Sequence, residues 1–365
     1  MSADKNTLKA LRELGQSPWY DNIERRLIKT GTLKRLFDLG LLGVTSNPSI
    51  FQKAIEGAED YDEQIMQLSG ESSSIMEIYD ALTMKDITDA AGLLRDIYHA
   101  SGGIDGLVSI EVPPQYAYDA QKTIDAAGHI YRKINKENIL IKIPGTDCSD
   151  NALRKLVSDG ININVTLLFS IAHYRKQAKA YTEGLKDALA KGKDISKIRS
   201  VASVFVSRVD TKVDALLDKI APQADYKGKA AVANCKIIYQ EFKKIFYGME
   251  FMELRNKGAR IQRIVWASTS TKNPAYSDIK YVEELVGPDT VNTMPQATIE
   301  AYLKHGRPSL RLEEDLDTAE NTLSQLESLG IYIDDVCNET QTEGVKAFQD
   351  SFDSLIASIK LKIRC

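Results

Sequence analysis

Eight short runs rich in β-branched residues recur along the chain, and that repetition limits the fold more than any other feature. They are Ser17–Asn22, Leu42–Ser46, Gly106–Val112, Ile139–Ile143, Ile161–Leu168, Arg199–Val206, Arg263–Ser268 and Thr290–Met294. Most of the intervening segments carry apolar residues at i, i+3 and i+4, as in NIERRLIKTGTLKRLFDLG and SIAHYRKQAKAYTEGLKDALA, the spacing of an amphipathic helix. Strict β–α alternation implies a parallel sheet with right-handed crossovers, and eight repeats favour closure into a (β/α)8 TIM barrel, an α/β fold. The rhythm stops after the eighth run. Leu316, Ala319, Leu323 and Leu326 mark one amphipathic helix, Phe348, Phe352, Leu355 and Ile359 another, and no strand follows. These helices, over about residues 310–365, are expected to pack on the barrel or cover one of its mouths. With no linker-like tract, a single domain over 1–365 is expected.

At 43% hydrophobic and 27% charged residues the chain has material for a large core. A formal net charge of -4 argues against nucleic acid or an acidic membrane as partner. Cys148, Cys235, Cys337 and Cys365 are scattered without a CxxC pair, which suits reduced thiols rather than a disulfide framework or a zinc site. Cys148, six residues past Lys142, reads as a buried inert thiol. His99, His129, His173 and His305 lack metal-ligand spacing and are expected at surface or helix positions. No Walker A sequence or strand-linked GxGxxG supports nucleotide binding. No apolar stretch has the length of a signal peptide or a membrane span, so a soluble, cytoplasmic protein is expected.

The stretch ENILIKIPGT, residues 137–146, contains an anomaly. Ile139, Leu140, Ile141 and Ile143 look like a strand buried on both faces, yet Lys142 interrupts them. Desolvating an ammonium costs several kcal/mol unless it is paired or loses its proton. Either Lys142 snorkels to solvent at a strand end, or the protein needs an amine there. The other strand ends bear on the choice. Asp21, Thr45, Asn47, Glu111, Asn164, Thr166, Ser203, Ser268 and Thr269 lie at or near the C-terminal ends of predicted strands, the end at which TIM-barrel chemistry gathers. Each has an ordinary reading: strand-end Asp, Asn, Ser and Thr cap helices, and Glu111 alone could be an ion-pair partner or exposed. Capping does not explain a lysine, two acids and two asparagines aimed at one mouth.

Those residue types have a joint chemistry. An amine among apolar walls has a lowered pKa and is nucleophilic near neutral pH. Its attack on a ketone gives a carbinolamine and then a Schiff base, an electron sink for cleaving the neighbouring carbon–carbon bond. Asp21 and Glu111 can divide the proton transfers, and Asn and Thr side chains suit sugar hydroxyls.

GQSPWYDN, GVTSNPSIF, VSIEV, ILIKIPGT, ININVTLLFS, SVFVSRVD and KNPAYSD…YVEELVGPDTVNTMP, in that order, make the chain resemble the transaldolases, class I Schiff-base enzymes with a (β/α)8 barrel, and the longer bacterial type most. The resemblance runs over nearly the full length. It implies that Lys142 is the Schiff-base nucleophile, that Asp21 takes the proton of the substrate's C4 hydroxyl, and that Glu111 with Thr166 manages water and protons at the imine. It further implies that Asn47 and Asn164, with Thr45 nearby, bind the dihydroxyacetone hydroxyls, and that Ser203, Arg208 and Lys272 hold a phosphate. Pro113 and Gln115 depart from the pattern on the acceptor side, and Lys272 stands where shorter members have arginine. The implied partners are sugar phosphates, met by a monomer or homodimer, with no metal or organic cofactor because the lysine is the electron sink. Two alternatives stay open: an aldolase releasing free dihydroxyacetone, and a non-catalytic barrel used for binding. A pyridoxal-phosphate barrel also uses a strand lysine, but fits IKIPGT with Glu111 and Asn164 less well.

Overall fold

A computed structural model describes residues 6–71 and 73–364. Eight strands, β1 (Gln16–Tyr20), β2 (Gly43–Val44), β3 (Leu107–Glu111), β4 (Ile139–Pro144), β5 (Ile163–Leu168), β6 (Ser200–Phe205), β7 (Arg263–Ala267) and β8 (Thr290–Met294), pair in chain order and close β8 onto β1. Every pairing is parallel. With helices between successive strands this is a (β/α)8 barrel. All eight expected runs are strands, with ends displaced by a residue or two. The largest contraction is at β2. Leu42 and Thr45 still donate to Pro18 and Tyr20 of β1, but Asn47 already caps the next helix, Pro48–Glu56, so the ladder ends early.

Side chains alternate between the barrel interior and the helix layer, as a strand's period of two requires. Ile139, Ile141 and Ile143 belong to the large core between strands and helices, whereas Leu140 belongs to a separate interior cluster with Trp19, Leu107, Val201, Val265 and Val291. That cluster fills the barrel beneath the C-terminal mouth. Gly43 is needed there, since a Cβ would come within 2.6 Å of the Trp19 ring. Trp19 is thus interior packing, and Trp266 packs in the outer core. At the opposite mouth Arg263, 7% exposed, pairs with Asp105 at 3.0 Å and donates to Ser17.

The two C-terminal helices are present and differ in role. Leu316–Ser328 packs outside, on the helix Ala230–Phe246. The 32-residue helix Ile333–Arg364 instead packs on Pro48–Glu56 and crosses the C-terminal mouth. There Gln341 donates to Gly145 and Leu167, and Gln349 to Pro114. The Pro113–Gln115 segment therefore lies under this helix, with Pro114–Tyr116 forming a short 3-10 turn. All four histidines lie on helices. Cys148, Cys235 and Cys337 are free thiols, and Cys148, expected to be buried, is only half-buried because it sits in the loop that opens helix Ser149–Ser158; Cys365 lies outside the described residues. Among the described residues no helix is long and apolar enough to cross a membrane.

Candidate active site

Register brings the unusual strand residues together. Glu111 of β3 is the neighbour of Lys142 on β4, and Lys142 is the neighbour of Asn164 on β5. Because Leu140 points inward, Lys142 two residues later must do so too. Lys142 is 4% exposed, which removes the snorkelling alternative. Its Nζ lies 3.1 Å from Glu111 Oε2, donates to the Ser46 carbonyl at 3.1 Å, and sits 5.5 Å from the centre of the Phe348 ring. The amine therefore meets a carboxyl, a carbonyl and an aromatic face, a more polar setting than the apolar walls expected. The strand's isoleucines face the other way.

Burial raises the Glu111 carboxyl above the ordinary range, with the Lys142 charge opposing the rise. Neither Glu111 oxygen has a well-aligned hydrogen-bond donor, and the buried Thr166 hydroxyl also lacks a partner among the described residues. Buried polar atoms without partners are uncommon. Here Glu111 Oε1, on the carboxyl that pairs with the amine, and the Thr166 hydroxyl, in the same cleft as the amine, are left for a substrate or a water molecule.

Asp21 follows β1, its backbone N–H bonded to Met294 of β8. Thr45 donates to its Oδ1 at 2.7 Å and touches the Thr293 hydroxyl. Burial raises the Asp21 carboxyl as well; the Thr45 hydrogen bond and the charges of Lys142 and Lys272 act against it. Two carboxyls with displaced pKa values thus flank one amine, an arrangement that functional sites favour. Asn47 has both of its possible roles. Its Oδ1 caps helix Pro48–Glu56 through Ile50 N–H, and it also lines the cleft.

The cleft has a volume of about 360 Å3. Of the ten expected residues, eight line it: Asp21, Thr45, Asn47, Lys142, Thr166, Ser203, Arg208 and Lys272. Glu111 and Asn164 lie behind them. Glu111 acts on the amine directly, whereas the Asn164 amide is engaged within the barrel, donating to Ser109 and accepting from Ser203 at 2.7 Å. Arg208, in the first turn of helix Ser207–Ile220, is half-buried, and Lys272 is exposed. Lys53 adds a third cation to the lining. None of the three has an ion-pair partner among the described residues; Glu343, whose charge acts on Arg208, is itself held by Lys212 at 2.7 Å. Unpaired cations lining one cleft suit an anionic substrate group. No group of three or more His, Cys, Asp or Glu among the described residues is placed to hold a metal ion.

Lys53, Ser270 and Phe348 are lining residues that sequence reasoning missed. Lys53 lies two residues beyond the GVTSNPSIF motif and one turn after its Ser49, which also lines the cleft, so helical periodicity was an available signal. Phe348 offered none, because its place in an apolar stripe reads as core. It is core, at 4% exposed, yet its ring also faces the amine.

Comparison with known proteins agrees with this geometry. A family model described as "Transaldolase/Fructose-6-phosphate aldolase" matches residues 18–359. A transaldolase of Trichodesmium erythraeum is 45% identical over 98% of both chains. One of Thiobacillus denitrificans is 43% identical over 97% of this chain and 99% of its own. One of Mycolicibacterium smegmatis is 41% identical over 97% and 96%. With a family match across almost the whole barrel, the chain belongs to the transaldolase/fructose-6-phosphate aldolase family.

Proposed function

We propose that the protein is a transaldolase, moving a dihydroxyacetone unit from a ketose phosphate (sedoheptulose 7-phosphate or fructose 6-phosphate) to an aldose phosphate (glyceraldehyde 3-phosphate or erythrose 4-phosphate). The observation that carries this reading is the buried Lys142 amine in contact with Glu111, facing the same cleft as Asp21. In this reading Nζ attacks the C2 carbonyl after Glu111 takes its proton, and water leaves the carbinolamine with Glu111 and Thr166 handling the proton. Asp21 takes the C4 hydroxyl proton, the C3–C4 bond breaks, and the aldose phosphate departs. Its electron pair stays on the enzyme-bound enamine, which adds to the acceptor aldehyde by the reverse steps. Asn47 and Thr45 face the three-carbon unit, with Asn164 held behind. Ser203, Arg208 and Lys272 hold the phosphate. The free thiols support a reducing, cytoplasmic setting, and the chemistry fits the non-oxidative pentose phosphate interconversions.

Two measurements follow. With fructose 6-phosphate as donor, turnover is expected only when erythrose 4-phosphate is also present. Steady release of dihydroxyacetone without an acceptor would instead assign the aldolase activity. Arg208→Ala should raise KM for phosphorylated donors about 10- to 100-fold, the worth of a charged hydrogen bond. The KM of a non-phosphorylated ketose should change little. Equal losses for both would remove Arg208 from the phosphate seat.

A further inference from the structure

The end of β5 is irregular where the site needs it to be exact. Pairing with β6 loses register between Val165 and Leu168, and Leu167 adopts φ +59, a left-handed conformation that a branched, buried residue takes only when its surroundings impose it. Leu167 follows Thr166, whose hydroxyl is buried and has no partner among the described residues. Beside it, Gly145 follows the last residue of β4, three positions after Lys142. Gly145 donates to the Thr166 carbonyl at 2.7 Å, and a Cβ on it would lie 2.2 Å from Leu168.

One side chain joins both strand ends from outside the barrel. Gln341, on helix Ile333–Arg364, donates through Nε2 to the Leu167 carbonyl at 2.8 Å and the Gly145 carbonyl at 3.0 Å. The helix is seated closely there, since a Cβ on Gly344 would meet Leu167 at 3.1 Å and Arg208 at 3.4 Å. One turn before, Asn338 meets His173 Nε2 at 2.8 Å. Two turns after Gln341, Phe348 covers the amine. An amide has two N–H donors in a fixed plane, and here the shorter contacts go to the carbonyls of Leu167 and Gly145, with His173 Nδ1 further off at 3.4 Å.

We propose that Gln341 is a positioning residue for the imine-forming steps: by tying the carbonyls of Gly145 and Leu167 it holds the β5 irregularity, and so sets the Thr166 hydroxyl against Lys142. This rests on the Schiff-base reading above. Gln341→Met keeps the side chain's length and removes both donors. With fructose 6-phosphate and erythrose 4-phosphate, its kcat should fall on the order of 10- to 100-fold, the cost of a small misplacement of reacting groups, with KM little changed. The rate of borohydride trapping on Lys142 should fall in parallel. Without any substrate, backbone hydrogen exchange over residues 145–146 and 163–169 should rise. Lys362→Met, which removes the contacts of the same helix with Asp62 and the Ala58 carbonyl, should leave all three readouts as in the unaltered protein. If Gln341→Met does not fold, Gln341→Asn, with an amide too short to reach both carbonyls, should give the same pattern. Unchanged kcat and exchange, a loss through KM alone, or equal loss in Lys362→Met would overturn the proposal. Absence of turnover and trapping in the unaltered protein would instead defeat the functional reading, and the exchange comparison would still test the tie.

Discussion

Lys142→Met should abolish sugar transfer while leaving a folded barrel. The expected loss is on the order of 10^5-fold or more, as when a covalent nucleophile is removed from an enzyme whose residues act as a unit. Methionine is about as long as the lysine stem and fills the same interior space above Leu140. The partner left behind is Glu111, and an unpaired buried charge is costly. Glu111 has a way out: burial already raises its pKa, and without the Lys142 cation to oppose that rise it takes up a proton instead of unfolding the site. Circular dichroism and a thermal melt should therefore match the unaltered protein closely. Measurable transfer by Lys142→Met would mean that another group carries the donor unit.

Asp21→Asn should produce a different failure. The asparagine keeps an Oδ1 to accept from Thr45, so the geometry at the end of β1 persists, but the base is gone. A loss of about 100- to 10,000-fold in kcat is expected for a general base. Schiff-base formation does not use this carboxylate, so borohydride should still trap donor on Lys142. The trapped species should be the whole ketose phosphate instead of the three-carbon unit, because the C3–C4 bond is not cut. The pH dependence has a definite sign. Cleavage takes the ionised carboxylate, and burial raises its pKa. Activity should therefore fall as pH drops through that raised value, with an acid limb above the ordinary carboxylate range. Asp21→Asn should remove that limb from its residual activity. A trapped three-carbon unit in this variant would move the base elsewhere.

The barrel and most of its mouth were legible in the sequence for a simple reason. Strand order, parallel direction and inward side chains follow from alternation and a period of two. An inward lysine between isoleucines is visible in that pattern alone. Strand ends were less legible, as β2 shows: whether Thr45 and Ser46 still count as strand depends on β1 and on the cap at Asn47, not on their own propensity. The polarity of the amine's surroundings was misjudged because the Ser46 carbonyl belongs to another strand end. Phe348 and Gln341 were hidden more deeply. They reach the site from a helix about 200 residues further along the chain, and nothing local in QTEGVKAFQD distinguishes a residue facing the core from one facing a lysine or a strand end.

The central claim is that Lys142 carries the donor fragment covalently. Borohydride reduction in the presence of fructose 6-phosphate alone, followed by peptide mass mapping, tests it directly. A three-carbon dihydroxyacetone-derived adduct on Lys142, within the peptide spanning ILIKIPGT, is the predicted result. An adduct on any other residue, or no adduct from active protein, would contradict it.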